Sequence, residues 1–93
     1  MNISIITFTE NGTKLAEKIR QAFVGTKMEE AKKLGLSLSD WTRQQFAEKN
    51  AIVVIGACGI AVRMIAPFVS DKLSDSPVVV ADEAGTFVIP LLS

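Results

Sequence analysis

Apolar positions come in two rhythms along this chain. "NISIITF" (2–8) is a short run of mostly β-branched and aromatic residues, the pattern of a strand buried on both faces. After "TENG", the residues Leu15, Ala16, Ile19, Ala22 and Phe23 recur at helical spacing, and Thr9, Asn11 or Thr13 can supply the capping oxygen. "AIVVIG" (51–56) is the most continuous apolar run and reads as a second strand. Helical spacing returns from Cys58, with Ile60, Met64 and Ile65 expected to face a sheet and Pro67 to kink or end the helix. "PVVVAD" (77–82) and "TFVIP" (86–90) read as strands joined by "EAG", a short glycine-containing link that suits an antiparallel hairpin.

Two stretches carry weaker patterns. Residues 24–38 allow either a short helix ending at Gly35 or a charged excursion with a weak edge strand. From Ser39, a plausible N-cap, with Asp40 suiting the positive helix end, Trp41 to Lys49 form a helix that Asn50 stops. Trp41 belongs to the core on this reading, since no second aromatic is spaced to make a stacking platform. "SDKLSDS" (70–76) is polar loop.

Strands alternating with helices imply a three-layer, Rossmann-like α/β segment. It would have about four mostly parallel strands and a C-terminal antiparallel hairpin. The first three strands would point the same way, so "TENG" (9–12), "GACG" (56–59) and "DEAG" (82–85) fall at one sheet edge. Ligands of open α/β sheets bind outside those strand ends.

Composition narrows the chemistry. The 93 residues suffice for one domain or part of one, and 48% apolar with 22% charged residues describes a folded globular chain. Ten basic and ten acidic residues cancel without a basic block, which argues against nucleic acid as a partner. The stretch 51–62 is too short and too glycine-interrupted to span a bilayer, and Met1-Asn2-Ile3-Ser4 lacks the basic start of a secretory signal. A single cysteine makes no demand for an oxidising compartment, so the expected location is cytoplasmic. There is no histidine, hence no His-dependent triad and no imidazole metal ligand; no metal site is expected.

What remains are carboxylates, one thiol and the loops. Gly56 and Gly59 flank the strand-to-helix turn, so the N–H groups from Ala57 and Cys58 through Gly59 to Ile60 can lie open at a helix N-terminus, where anions bind. The motif lacks both the third glycine of GxGxxG and the Lys-Ser/Thr of a P-loop, and close helix–strand packing explains the glycines equally well. Cys58 is a nucleophile on one reading and a small packing residue on the other. Arg63 is either an ion-pair partner or a substrate clamp. Glu10, Asp82 and Glu83 are candidate general bases, and turn-making is the competing role for Asp82 and Glu83. Thr9, Asn11 and Gly12 complete the candidate ligand-contacting set.

"TENG.KLAEKI", the Trp-Thr helix, and above all "IGACGIAVRMIAPFVSDKLSDSPVVVADEAGTFVIPLLS" resemble the N-terminal domain of the cobalt-precorrin-5A hydrolase family, CbiG. The resemblance spans residues 1–93, is most specific over 55–93, and has no firm pattern in 24–38. It implies a role in the anaerobic route to cobalamin: opening of the δ-lactone of cobalt-precorrin-5A, release of acetaldehyde, and formation of cobalt-precorrin-5B. Cobalt would enter with the corrinoid substrate, so no cofactor of the protein's own is expected. In the family the "PLLS" run continues into Gly-His-x-Gly-Gly-Ala-Asn and further regions. The expectation is therefore a truncated N-terminal domain, with the missing C-terminal regions as partners and self-association through the apolar end as a consequence. Two other readings stand beside it: a non-catalytic corrinoid-binding or scaffold module, and a generic Rossmann-like anion binder.

Overall fold

A computed structural model describes residues 2–70 and 75–92. The elements in chain order are β1 (Ile3–Thr7), α1 (Glu10–Ala22), β2 (Thr26–Glu30), α2 (Leu38–Ala47), β3 (Ala51–Ile55), α3 (Cys58–Ile65), β4 (Val78–Ala81) and β5 (Val88–Leu92). Short 3₁₀ turns occupy Ala31–Lys33 and Ala66–Phe68. The five strands form one sheet in the order β2-β1-β3-β4-β5, parallel except for β5. The α/β class, the parallel body and the antiparallel end agree with the sequence expectation; β2 raises the strand count from about four to five.

Alternation along the strands sorts their side chains to two faces. Ile5, Ile55 and Ala81 join Ala16 of α1, with Leu15, Ile19 and Met28 packed around them. Ile6, Ile52, Val54, Val78 and Val80 turn the other way and meet Trp41 of α2 and Ala61, Met64 and Ile65 of α3. Both faces of the central strands are thus covered, which is why β1 and β3 read as unbroken apolar runs rather than alternating ones. Trp41 is buried in this second layer, as expected.

Local chemistry explains where the helices start and stop. Thr9 caps α1, its Oγ1 accepting from the Gly12 N–H at 2.9 Å. Ser37, not Ser39, caps α2: its Oγ accepts from the Asp40 N–H at 3.0 Å. At the far end of α2, the Lys49 N–H donates to the Phe46 carbonyl and the Asn50 N–H to the Gln45 carbonyl, a Schellman arrangement with Lys49 at φ 57°. Asn50 is the stop in a literal sense: its buried Nδ2 also donates to Gln45 Oε1 at 2.9 Å.

Two expectations need correction, and one open alternative is decided. Ile60 is 39% exposed; Ala61, Met64 and Ile65 carry the inward face of α3. Phe23 follows α1 with extended backbone and is exposed, and so is Ala22. In 24–38 the edge strand is realised, while the lysines that follow form a 3₁₀ turn rather than a helix. The polar stretch at 70–76 lies partly outside the described residues.

Candidate functional site

Parallel register brings the strand ends level: Thr7 is paired with Ile55, and Ile55 with Ala81. The loops that follow therefore leave the sheet side by side, and three contacts tie them together. A Cβ on Gly12 would stand 3.2 Å from Ile55 Cγ2, one on Gly56 would stand 3.1 Å from the Phe8 ring, and one on Gly85 3.5 Å from Leu15 of α1. Gly12 and Gly56 are small because neighbouring elements press against them. Gly59 has no neighbour within 4 Å of its Cβ position, so packing does not explain that glycine.

Thr9 is the joint between the first and third loops. Its hydroxyl accepts the Gly12 N–H and donates to Glu83 Oε2 at 2.5 Å. One hydroxyl has one proton and two lone pairs, so the two bonds are compatible and Glu83 is the acceptor. Beneath it, Thr13 Oγ1 donates to the Thr9 carbonyl at 3.1 Å and lies 2.8 Å from the hydroxyl of the buried Thr7. With the Thr13 proton committed upward, Thr7 is the donor of that pair. The bonds thus run from the Thr7 hydroxyl through Thr13 to the Thr9 carbonyl, and separately from the Thr9 hydroxyl to the Glu83 carboxylate.

Asp82 is spent on the turn. Its carboxylate accepts the Phe87 N–H at 2.6 Å and its carbonyl accepts the Gly85 N–H at 2.9 Å, with Gly85 at φ +74°. The turn-making role therefore accounts for Asp82. Glu83, next along, faces the other way.

The 56–59 turn is less open than its sequence suggests. The Gly56 N–H donates to the Ala81 carbonyl, and the Ile60 N–H closes onto the Ala57 carbonyl at 3.1 Å. Ala57 offers no side-chain cap, so Cys58 and Gly59 supply the uncapped first N–H groups of α3. Cys58 is exposed, which removes the packing explanation for it. Arg63 follows Gly59 one helical turn later, also exposed, and no ion pair involves it among the described residues. Glu10 is exposed in the first turn of α1. No hydrogen bond links Glu10, Cys58, Gly59 or Arg63 to the Thr9–Glu83 joint among the described residues.

Two clefts border these elements. One, about 250 Å³, lies between α1 and the β4–β5 turn and is lined by Asn11, Lys14, Leu15, Lys18, Glu83 and Ala84. It unites Asn11 and Glu83 with two lysines that the apolar pattern passes over. Asn11, Lys14 and Lys18 stand three and seven positions apart, a polar stripe beside the stripe that packs on the sheet. The other, about 280 Å³, sits between the β2 edge and α2 and contains no predicted site residue. No group of three potential metal-ligating side chains gathers among the described residues. No helix among them is long and apolar enough to cross a membrane.

The sequence profile of the family described as Cobalamin synthesis G N-terminal matches residues 40–93. This chain belongs to that family. A Cobalt-precorrin-5A hydrolase from Salmonella typhimurium is 38% identical over 99 aligned positions, covering 99% of this chain but only 28% of the relative. A protein of the same description from Priestia megaterium is 44% identical over 48 positions, covering 52% of this chain and 13% of the relative. Among solved structures, a cobalamin biosynthesis protein G homolog from Sulfolobus solfataricus superposes with a TM-score of 0.70. That match covers 98% of this chain and 29% of the homolog at 23% identity, and it supports the fold. The chain thus spans under a third of the length of the relatives it matches. As a member of the cobalamin synthesis G N-terminal family, it carries the Thr9–Glu83 joint and the 56–59 turn at its strand-end edge.

Proposed function

We propose that this chain is the N-terminal domain of a cytoplasmic cobalt-precorrin-5A hydrolase and that its strand-end edge meets the cobalt-corrinoid substrate. The observation that carries this reading is the Salmonella relative, similar to this chain along 99% of its length. The reaction would add water to the carbonyl of the δ-lactone, breaking the ester C–O bond. Cleavage of a carbon–carbon bond would then release acetaldehyde. Glu83 is the best placed of the three candidate bases. Asp82 is engaged by the turn, Glu10 stands apart on the first turn of α1, and Glu83 is held by Thr9 at the rim of a cleft. The uncapped N–H groups of Cys58 and Gly59 suit an oxyanion or a substrate carboxylate.

The other reading, a corrinoid-binding module whose chemistry lies elsewhere in the polypeptide, is favoured by the 28% coverage of the relative. One experiment separates the two. The 93-residue chain is titrated with cobalt-precorrin-5A by visible absorption, and acetaldehyde is measured by a coupled NADH assay. The assay is repeated with the chain grafted in place of the corresponding segment of the Salmonella relative. Binding by the chain with acetaldehyde from the graft, and loss of acetaldehyde in the Glu83→Gln graft, is the expected result. A Glu83→Gln graft with full turnover assigns the chemistry elsewhere, and no binding in either form removes the corrinoid reading.

A further inference from the structure

The cleft between α1 and the β4–β5 turn holds two ammonium groups without carboxylate partners. Lys14 and Lys18 lie one helical turn apart on α1, and both line it. The ion pairs among the described residues are Glu17–Arg20, Glu30–Lys33 and Asp40–Arg43, so neither lysine is engaged. Glu83 lines the same cleft yet forms no ion pair with them; one of its carboxylate oxygens, Oε2, accepts the Thr9 hydroxyl. Like charges four positions apart on a helix oppose each other, and an anion seated between them turns that repulsion into attraction. Asn11 adds an amide donor at one end of the stripe, and Leu15 with Ala84 gives the cleft an apolar wall.

We propose that Lys14 and Lys18, with Asn11, form a binding site for a carboxylate-bearing arm of the ligand. The identification of that arm with a substrate side chain rests on the corrinoid reading above; the site itself rests on the cleft. Two ammonium groups and an amide match the two oxygens of a carboxylate, and a volume of about 250 Å³ accommodates a short acidic arm rather than a macrocycle. The macrocycle would then lie outside the cleft, across the strand-end edge, with Glu83 between arm and ring. The arm would fix the register of the substrate against Glu83.

The test titrates the ¹⁵N-labelled chain with propane-1,2,3-tricarboxylate, with its triamide and with inorganic phosphate. The expected result is a saturable shift of the amides of residues 11–18 and 84 by the tricarboxylate, weakened as salt rises. The triamide should have no effect and phosphate a smaller one. Lys14→Gln/Lys18→Gln should weaken tricarboxylate binding at least fivefold. Lysine and glutamine have similar helix propensity and both positions are exposed, so an unchanged circular dichroism spectrum is the folding control. Equal shifts from acid and triamide, tighter binding of phosphate than of the tricarboxylate, or undiminished binding in the double variant would each overturn the site. The corrinoid reading fails separately. Cobalt-precorrin-5A binding unaltered by the double variant removes the lysine site and keeps that reading. Lysine-dependent tricarboxylate binding without corrinoid binding does the reverse.

Discussion

The Thr9 hydroxyl donates to the Glu83 carboxylate at 2.5 Å across a sequence separation of 74 residues. Because the same oxygen caps α1, any displacement of the β4–β5 turn is felt at the helix start, and the reverse holds. Thr9→Val removes the cap and the grip on Glu83 together, and is expected to cost about 1–2 kcal/mol in urea unfolding. Glu83→Gln keeps the cap and is expected to cost under about 0.5 kcal/mol, since water replaces most of an exposed hydrogen bond and the glutamine oxygen still accepts. A double-mutant cycle should show coupling of a few tenths of a kcal/mol; additive effects would mean that the bond does not hold the turn in solution.

Much of this arrangement was legible in the residues, and the reasons for the rest are local. β1, β3 and β4 are buried on both faces, and such strands announce themselves as apolar runs wherever the chain is read. Parallel direction then places the segments 9–12, 56–59 and 82–85 at one edge without further information, although Glu10 to Gly12 already belong to α1. The apolar residues of α3 surround the helix and leave more than one phase open in the sequence; packing in the core makes Ala61, Met64 and Ile65 the inward set and leaves Ile60 outside it. "SLSD" offers two serines two positions apart, and only Ser37 stands three residues before Asp40, the spacing a capping oxygen needs. Lys14 and Lys18 carry no signal in the sequence, because their stripe lies beside the apolar one and only the approach of Glu83's loop makes it a cleft wall.

The glycines supply a contrasting pair of predictions. Gly12→Ala puts a methyl group 3.1 Å from Thr9 Oγ1 and 3.2 Å from the buried Ile55, both held in place. Overpacking of this kind costs about 1–3 kcal/mol, which exceeds the roughly 1 kcal/mol that alanine gains over glycine in a helix. Gly59→Ala meets nothing within 4 Å and is expected to raise stability by about 0.5–1 kcal/mol. Thermal melts of both variants check the opposite signs. Gly59→Val, whose Cβ also stands in open space, should leave the fold intact and weaken corrinoid binding if the α3 N–H groups contact the ligand.

Lys49 occupies the left-handed position of the Schellman turn that ends α2, at φ 57°. A side chain there costs on the order of 1 kcal/mol, and glycine relieves it. Lys49→Gly is expected to raise the unfolding free energy by about 0.5–1 kcal/mol without altering the core. A fall in the urea midpoint would show that the lysine makes a compensating contact.

The last prediction concerns association. The two sheet edges differ: β2 presents Lys27 and Glu29, whereas β5 and the turn before it expose Phe87 at 67%, Val88 at 64% and Ile89 at 46%. Charged edges resist pairing and apolar ones invite it. Pro90 changes the form this takes. The Asp82 N–H bonds to the Phe87 carbonyl, so the alternation of an antiparallel ladder turns the outward backbone positions to Val88 and Pro90. Pro90 has no N–H to offer there, and the edge lacks a donor that a ladder would need. We therefore expect the chain to self-associate through its side-chain surface at Phe87 and Ile89 rather than by strand addition. Sedimentation velocity should show a concentration-dependent rise in the average mass of the wild-type chain, abolished by Phe87→Ser/Ile89→Lys. Pro90→Thr should restore the missing donor and convert reversible association into irreversible, β-rich aggregation. A wild-type chain that stays monomeric at millimolar concentration would refute the first expectation, and an unchanged Pro90→Thr variant the second.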